Sequence, residues 1–328
     1  MERALFLMLV VVAICLTGMS SHTGLVLVAN KGEHTLGIID TATNQQVAKI
    51  AESGTTGHEV VASPDGKLAF VPIYGNSGVG LPGTDGRTID VIDLAQRQVI
   101  HTIDFGHGVR PHCAIFGPKD GLLYVTIELD KAIAVIDPHT FKILRTIPTG
   151  QAESHMLAIS PDGRYGYTAN VGPGTVSVID IAARKTLAVI PVAGHVQRIS
   201  VSPDGRWVFT SDTEKPRLAA IDSKTNKVDR WIELEGPGYG SASTPDGKWL
   251  LVAMPSANGV ALVDLATLSV VKTVEVPASP QEVLLASDGQ VAYVSCDRSA
   301  QVAAIQTGSW SVKLIGAGRG ADGLAWVK

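Results

Sequence analysis

An all-β ring of seven four-stranded blades, a seven-bladed β-propeller, is the fold this sequence predicts, and two periodic markers carry that reading. Glycines that close a turn fall at Gly121, Gly163, Gly205, Gly247 and Gly289, each 42 residues from the next. An apolar residue followed by aspartate recurs in step with them: "IID" ending at Asp40, "VID" at Asp93, Asp137 and Asp180, "AID" at Asp222 and "LVD" at Asp264. A seventh copy, "AIQ", ends at Gln306. A fixed period of about 40 to 45 residues built of short strands is the signature of blades set around a channel.

Each unit resolves into the same four strands. In the fourth they read "LAIS", "YGYTAN", "TVSVID" and "TLAVIPV". The first two are joined by Ser-Pro-Asp-Gly, where proline presets φ for a type I turn and glycine supplies the positive φ that follows. Between the third and fourth, Asp-x-x-Thr at Asp40, Asp137, Asp222 and Asp264 suits a turn closed by side-chain bonds to backbone. These aspartates recur in nearly every unit, so their role is structural; a catalytic acid is needed once. The three outer strands occur seven times, beginning at Leu25, Leu68, Leu122, Tyr165, Trp207, Trp249 and Val291. The first set lacks an inner strand before it. "GLAWVK", residues 323–328, supplies the missing strand from the far end. The C-terminal strand thus joins the N-terminal blade and closes the ring, removing the sheet edges of an open array.

Ahead of the repeat, Arg3 precedes an apolar run over residues 4–16, and small residues follow at Gly18, Ser20 and Ser21. This reads as a signal peptide over residues 1–21 and an exported propeller over residues 22–328, periplasmic or extracellular. The run is shorter than the roughly 20 residues a bilayer span needs, so no stable span is expected after cleavage. Cys15 follows Ile14 rather than a small residue, which argues against lipidation. Removing it leaves Cys113 and Cys296, which the repeat sets in distant blades; both are expected to be unpaired and buried. A net charge of −4 without a basic run, together with scarce aromatics, excludes nucleic acid as a partner. A monomer is expected.

The units resemble the YVTN-repeat β-propellers, an exported bacterial and archaeal family. The residues that carry the resemblance are "YVTIELDKAIAVID" ending at Asp137, "YTANVGPGTVSVID" ending at Asp180, and the Ser-Pro-Asp-Gly turns. It covers roughly residues 23–328. It implies the fold and leaves the activity open, since similar propellers include lactonase-like hydrolases, the heavy chain of methylamine dehydrogenase, and haem- or copper-binding reductases of nitrogen oxides.

Six residues before each turn proline, at the start of the inner strand, stand His58, His112, His155, Gln197 and Tyr239, with Gln281 and Asp322 at the same register. The symmetry of the ring sets them at one height around the channel mouth. Histidine there is either a habitual polar residue of a wet rim or a ligand set. Three imidazoles from consecutive blades suit zinc or copper with an open position. Glu59, Glu153, His107 and Arg110 lie close in sequence as polar partners. The second blade carries a surplus of 12 residues between its second and third strands, an insert with Tyr74 and Arg87 at its ends. It opens on the histidine face and is expected to cover the mouth as a lid. Its Gly78, Gly80 and Gly83 match a dinucleotide fingerprint by spacing, but Pro82 and the strand that follows exclude that reading.

The expected function is therefore a non-catalytic exported propeller that binds a small molecule or partner protein at the loop-rich mouth, with Gln197, Tyr239, Gln281, Asp322, Arg110, Tyr74 and Arg87 as the lining. The catalytic features are incomplete. The alternative is a metal- or cofactor-dependent enzyme, lactonase-like or a redox accessory protein, using the histidine rim.

Overall fold

The computed structural model describes residues 23–328; the expected signal peptide lies outside the described residues. Seven antiparallel four-stranded sheets stand around a central channel. Blade 1 is completed by the C-terminus, with Ala321–Val327 as its inner strand beside Leu25–Asn30, Thr35–Asp40 and Gln45–Ala51. The other inner strands are Val61–Ala62, Pro111–Phe116, Ser154–Ile159, Val196–Val201, Ser241–Ser243 and Pro280–Leu285, for blades 2 to 7. The closing strand starts two residues earlier than the sequence pattern indicates.

The turns behave as their chemistry requires. Gly66, Gly163, Gly205, Gly247 and Gly289 all sit near φ +70°. The hydroxyls of Ser63, Ser160, Ser202 and Thr244 donate to the aspartate two residues on. Asp40, Asp137, Asp180, Asp222 and Asp264 accept backbone N–H bonds within their own turns, as a structural role demands. Strand interiors are apolar on both faces because each sheet is covered by the next blade. Leu27, Ile92, Val125, Tyr167, Phe209, Leu251 and Val294 are fully or almost fully buried between blades. Cys113 and Cys296 are free and buried.

The inner strands share one irregularity that shapes the mouth. In blades 1, 3, 5 and 7 two residues of the inner strand face one residue of its neighbour: Asp322–Gly323, His112–Cys113, Gln197–Arg198 and Gln281–Glu282. In blade 4 the extra residue is His155. Such a bulge bends the strand and re-aims its side chains, so that consecutive residues no longer alternate cleanly between faces. Hydroxyls opposite it take up the displaced backbone groups. Thr126 Oγ1 accepts from Cys113 N and donates to the His155 carbonyl of the next blade. Ser295 Oγ accepts from Glu282 N.

Deleting residues 321–328 is expected to abolish cooperative unfolding or solubility. It removes a paired strand and the buried side chains Leu324 and Val327, each contributing about 1.5–3 kcal/mol, and it exposes two sheet edges. A truncated protein with the melting temperature of the full chain would show that closure is dispensable.

Candidate functional site

The bulges place two successive rings of side chains at the mouth. The outer ring is the one expected from the turn register: His58, His112, His155, Gln197, Tyr239, Gln281 and Asp322. Immediately after three of these come Glu59, Arg198 and Glu282, which the register alone does not single out as channel residues.

Arg198 crosses the channel from blade 5. Its Nη1 lies 2.6 Å from Glu59 Oε1 and donates to Glu282 Oε2 at 2.6 Å, and its Nη2 donates to Asp322 Oδ1 at 3.0 Å. The guanidinium and Asp322 are almost wholly buried. Lys31 adds a second cation, donating to Asp322 Oδ2 at 3.1 Å and lying 3.4 Å from Asp297. Room for this crowding comes partly from Gly323. A Cβ there would stand 2.6 Å from the Glu59 Cα and 2.7 Å from the His58 carbonyl oxygen.

The three carboxyls titrate differently. Burial pushes Glu59 up to about 8; Arg198 offsets this only partly, and the nearby Glu282 and Asp322 add to it. Glu282 is raised by burial as well. Burial acts upward on Asp322 too, but Lys31, Arg198 and His58 together bring it below its ordinary value. Glu59 is also the poorest held: its contact with Arg198 is misaligned, and Oε1 gains no hydrogen bond.

On the other side of the rim the histidines gather around Tyr74. The His58 ring stacks on Tyr74 with centroids 4.9 Å apart and meets His112 edge-on at 5.4 Å. The His112 and His155 rings lie 3.5 Å apart, tilted by 32°. Both nitrogens of His155 are engaged, Nδ1 with the buried Glu128 and Nε2 with the Gln197 amide at 3.3 Å. The Tyr74 hydroxyl donates to the other Glu128 oxygen at 2.8 Å. Burial drives His58 down to about 4 and His112 well below the usual imidazole range, so both are neutral at pH 7.

This geometry does not support the zinc or copper set expected from the spacing. The three rings pack against one another instead of converging on a point, and His155 has no nitrogen left to ligate. Among the described residues no three His, Cys, Asp or Glu side chains are arranged to hold a metal ion. Among the described residues no hydrogen bond reaches either nitrogen of His112, which is buried, or of His58, which is half-buried at the mouth.

The remaining candidates divide. Gln281 is pinned by its amide to Ser279. The Tyr239 ring lies under the Arg198 guanidinium, 4.9 Å from its centroid. Arg110 fastens the insert, with Nε donating to Asp85 at 2.6 Å and Nη2 to the Leu81 carbonyl at 2.8 Å. Arg87 stands apart from the mouth: it is half exposed and bidentate to Asp104 on the outermost strand of its blade. The insert itself runs over blade 3, and Gly80 packs beside Glu153 of blade 4. It leaves a cleft of about 310 Å3 against Arg110, Glu128 and Glu153. Larger grooves of about 510 and 670 Å3 open on the opposite face, lined mostly by turn residues.

Residues 117–234, from blade 3 to the end of blade 5, match the family described as the Cytochrome D1 heme domain. The segment includes His155, Gln197 and Arg198. The seven-bladed β-propeller protein Rv1057 of Mycobacterium tuberculosis is 28 % identical over 144 residues, 43 % of this chain and 33 % of that protein. The match thus spans only about a third of its length. Among solved structures, Kuenenia stuttgartiensis hydrazine synthase superposes with a TM-score of 0.71 at 21 % identity, covering 87 % of this chain and 92 % of that one. The dihydro-heme d1 dehydrogenase NirN superposes with a TM-score of 0.65 at 17 % identity, covering 94 % and 76 %. These two likenesses establish the propeller fold and nothing finer. Among the described residues no helix is long and apolar enough to cross a membrane.

Glu59 supplies a test of the channel's electrostatics. A carboxyl whose pKa rises on folding takes up a proton, so its presence lowers stability progressively as pH climbs from about 4.5 to about 8. Glu59→Gln keeps the oxygen facing Arg198 and removes the titration. The melting temperature of the variant relative to wild type is expected to rise across that window. A constant difference would mean that Glu59 is not held in the protonated form.

Proposed function

We propose that this chain is a cofactor-binding propeller whose mouth takes a haem-type tetrapyrrole, with His58 as the nitrogen donor. The observation that carries the reading is the state of His58. Its imidazole is neutral, faces the mouth, is braced by the Tyr74 ring, and has no hydrogen bond on either nitrogen among the described residues. His112 also lacks a hydrogen bond but is buried, so His58 is the one half-exposed rim imidazole that could ligate, and one such imidazole would suit a haem-type iron better than a three-ligand zinc or copper site. The match of residues 117–234 to a haem domain, and the likeness in fold to dihydro-heme d1 dehydrogenase NirN in complex with DHE, support a cofactor over the simple binding module expected from the sequence.

A bound iron tetrapyrrole would supply redox and ligand-exchange chemistry; the chain supplies the setting. Tyr74 and His112 fix the plane of the His58 ring. Glu128 holds His155 by Nδ1, and Gln197 caps Nε2, so His155 lines the site without competing as a ligand. Lys31, held by Asp322 and Asp297, lies near enough to His58 to lower its proton affinity and helps keep the imidazole neutral.

Titrating the protein with ferric haem, followed at the Soret band, tests this. Wild type is expected to give a saturable Soret shift, and His58→Ala to bind at least about tenfold more weakly. Because only neutral imidazole ligates, and His58 is held down to about 4, binding is expected to persist as pH falls through 6.5 and to fail only near 4. Haem that remains spectrally free, or an alanine variant that binds as wild type does, would overturn the reading.

A further inference from the structure

Across the rim from the insert, a second cleft of about 340 Å3 opens between the loops of blades 5 and 6. It differs from the rest of the mouth in having no charged side chain in its wall. The rim residues Gln197, Tyr239 and Gln281 line it together with Thr213, Pro237 and Pro255. Both glutamine amides are anchored by their NH2 ends, Gln197 on His155 and Gln281 on the Ser279 carbonyl and hydroxyl. That leaves two side-chain carbonyl oxygens with no hydrogen bond among the described residues. The Tyr239 hydroxyl has none either.

This inventory discriminates between ligands. An anion would find no free cation: Arg198 behind Tyr239 is already matched by Glu59, Glu282 and Asp322, and Lys31, which also acts on Tyr239, is paired with Asp322 and Asp297. A cation would approach the Tyr239 ring from the side opposite that guanidinium and be repelled by it. A neutral molecule carrying O–H or N–H groups meets two fixed acceptors and one hydroxyl that both donates and accepts. The tyrosine and proline rings offer apolar surface to its C–H faces. We propose that this cleft binds a small neutral ligand rich in O–H or N–H donors, of about monosaccharide size. The proposal is independent of any tetrapyrrole at His58.

Three sugars with the same ring size and different charge test it by ligand-observed NMR: N-acetylglucosamine, glucosamine and glucuronate. The neutral sugar is expected to bind about tenfold more tightly than either charged one. Each lost hydrogen bond is worth about 1 kcal/mol, so Tyr239→Phe and Gln281→Leu are each expected to weaken it by about fivefold. Thermal melts show whether the variants fold; Tyr239→Phe keeps the ring and its packing. Equal binding of the charged sugars, no binding of any of the three, or unaltered binding by the folded variants would overturn the proposal.

Discussion

The mouth of this propeller depends on one buried guanidinium. A seven-bladed ring has a channel at its centre, and each inner strand brings polar groups to it. Arg198 reaches from blade 5 to carboxyls contributed near blade 2 and in blades 7 and 1. It therefore ties together segments far apart in sequence, including the closing strand. Removing one partner of a buried ion pair typically costs about 3–5 kcal/mol, because the remaining charge is left without compensation. Here three carboxyls face a single guanidinium, with Lys31 beside them. The excess negative charge is relieved by protonation, which is why burial lifts Glu59 and Glu282 while the doubly paired Asp322 stays ionised.

That arrangement divides the mouth into regions of different chemistry. On the side of blades 2 to 4, burial keeps His58 and His112 neutral, and Glu128 locks His155 and Tyr74 in place. On the side of blades 5 to 7, Arg198 backs Tyr239 and leaves an uncharged cleft. The two sides share Gln197, whose amide holds His155 and whose carbonyl is left to the cleft. One ring of residues at equivalent positions thus serves unequal roles, as a repeat fold permits when each unit varies its rim residue independently.

Most of the architecture was legible because it repeats. The 42-residue spacing, the Ser-Pro-Asp-Gly turns and the missing inner strand determine seven blades and the manner of closure. The rim register was legible for the same reason, and it brought His58, His112 and His155 together correctly. What spacing does not carry is the direction of each ring nitrogen, so three neighbouring histidines read as a metal set. Glu128, which occupies His155, follows the apolar strand ending at Ile127; an acid at that place is the one sequence cue that the histidine has a partner. Arg198, Glu59 and Glu282 were hidden by the strict alternation of an ideal strand, which sends the residue after the rim away from the channel. The bulge removes that alternation. The sequence cue is three charges, Glu59, Arg198 and Glu282, at one register directly after the rim residues. The place of Arg87 at the end of the insert points to the mouth, but pairing with Asp104 draws it outward.

Hydrogen exchange on Arg198→Met tests most directly whether this guanidinium holds the channel together. Methionine keeps much of the apolar stem and deletes the charge. If the account is right, amides of the inner strands Ala321–Val327, Val61–Ala62, Val196–Val201 and Pro280–Leu285 lose protection, while those of the outer strands, including Ile143–Pro148 and Lys185–Pro191, keep it. Protection unchanged in all four inner strands would contradict it and make the arginine a passenger in a ring held by blade packing alone.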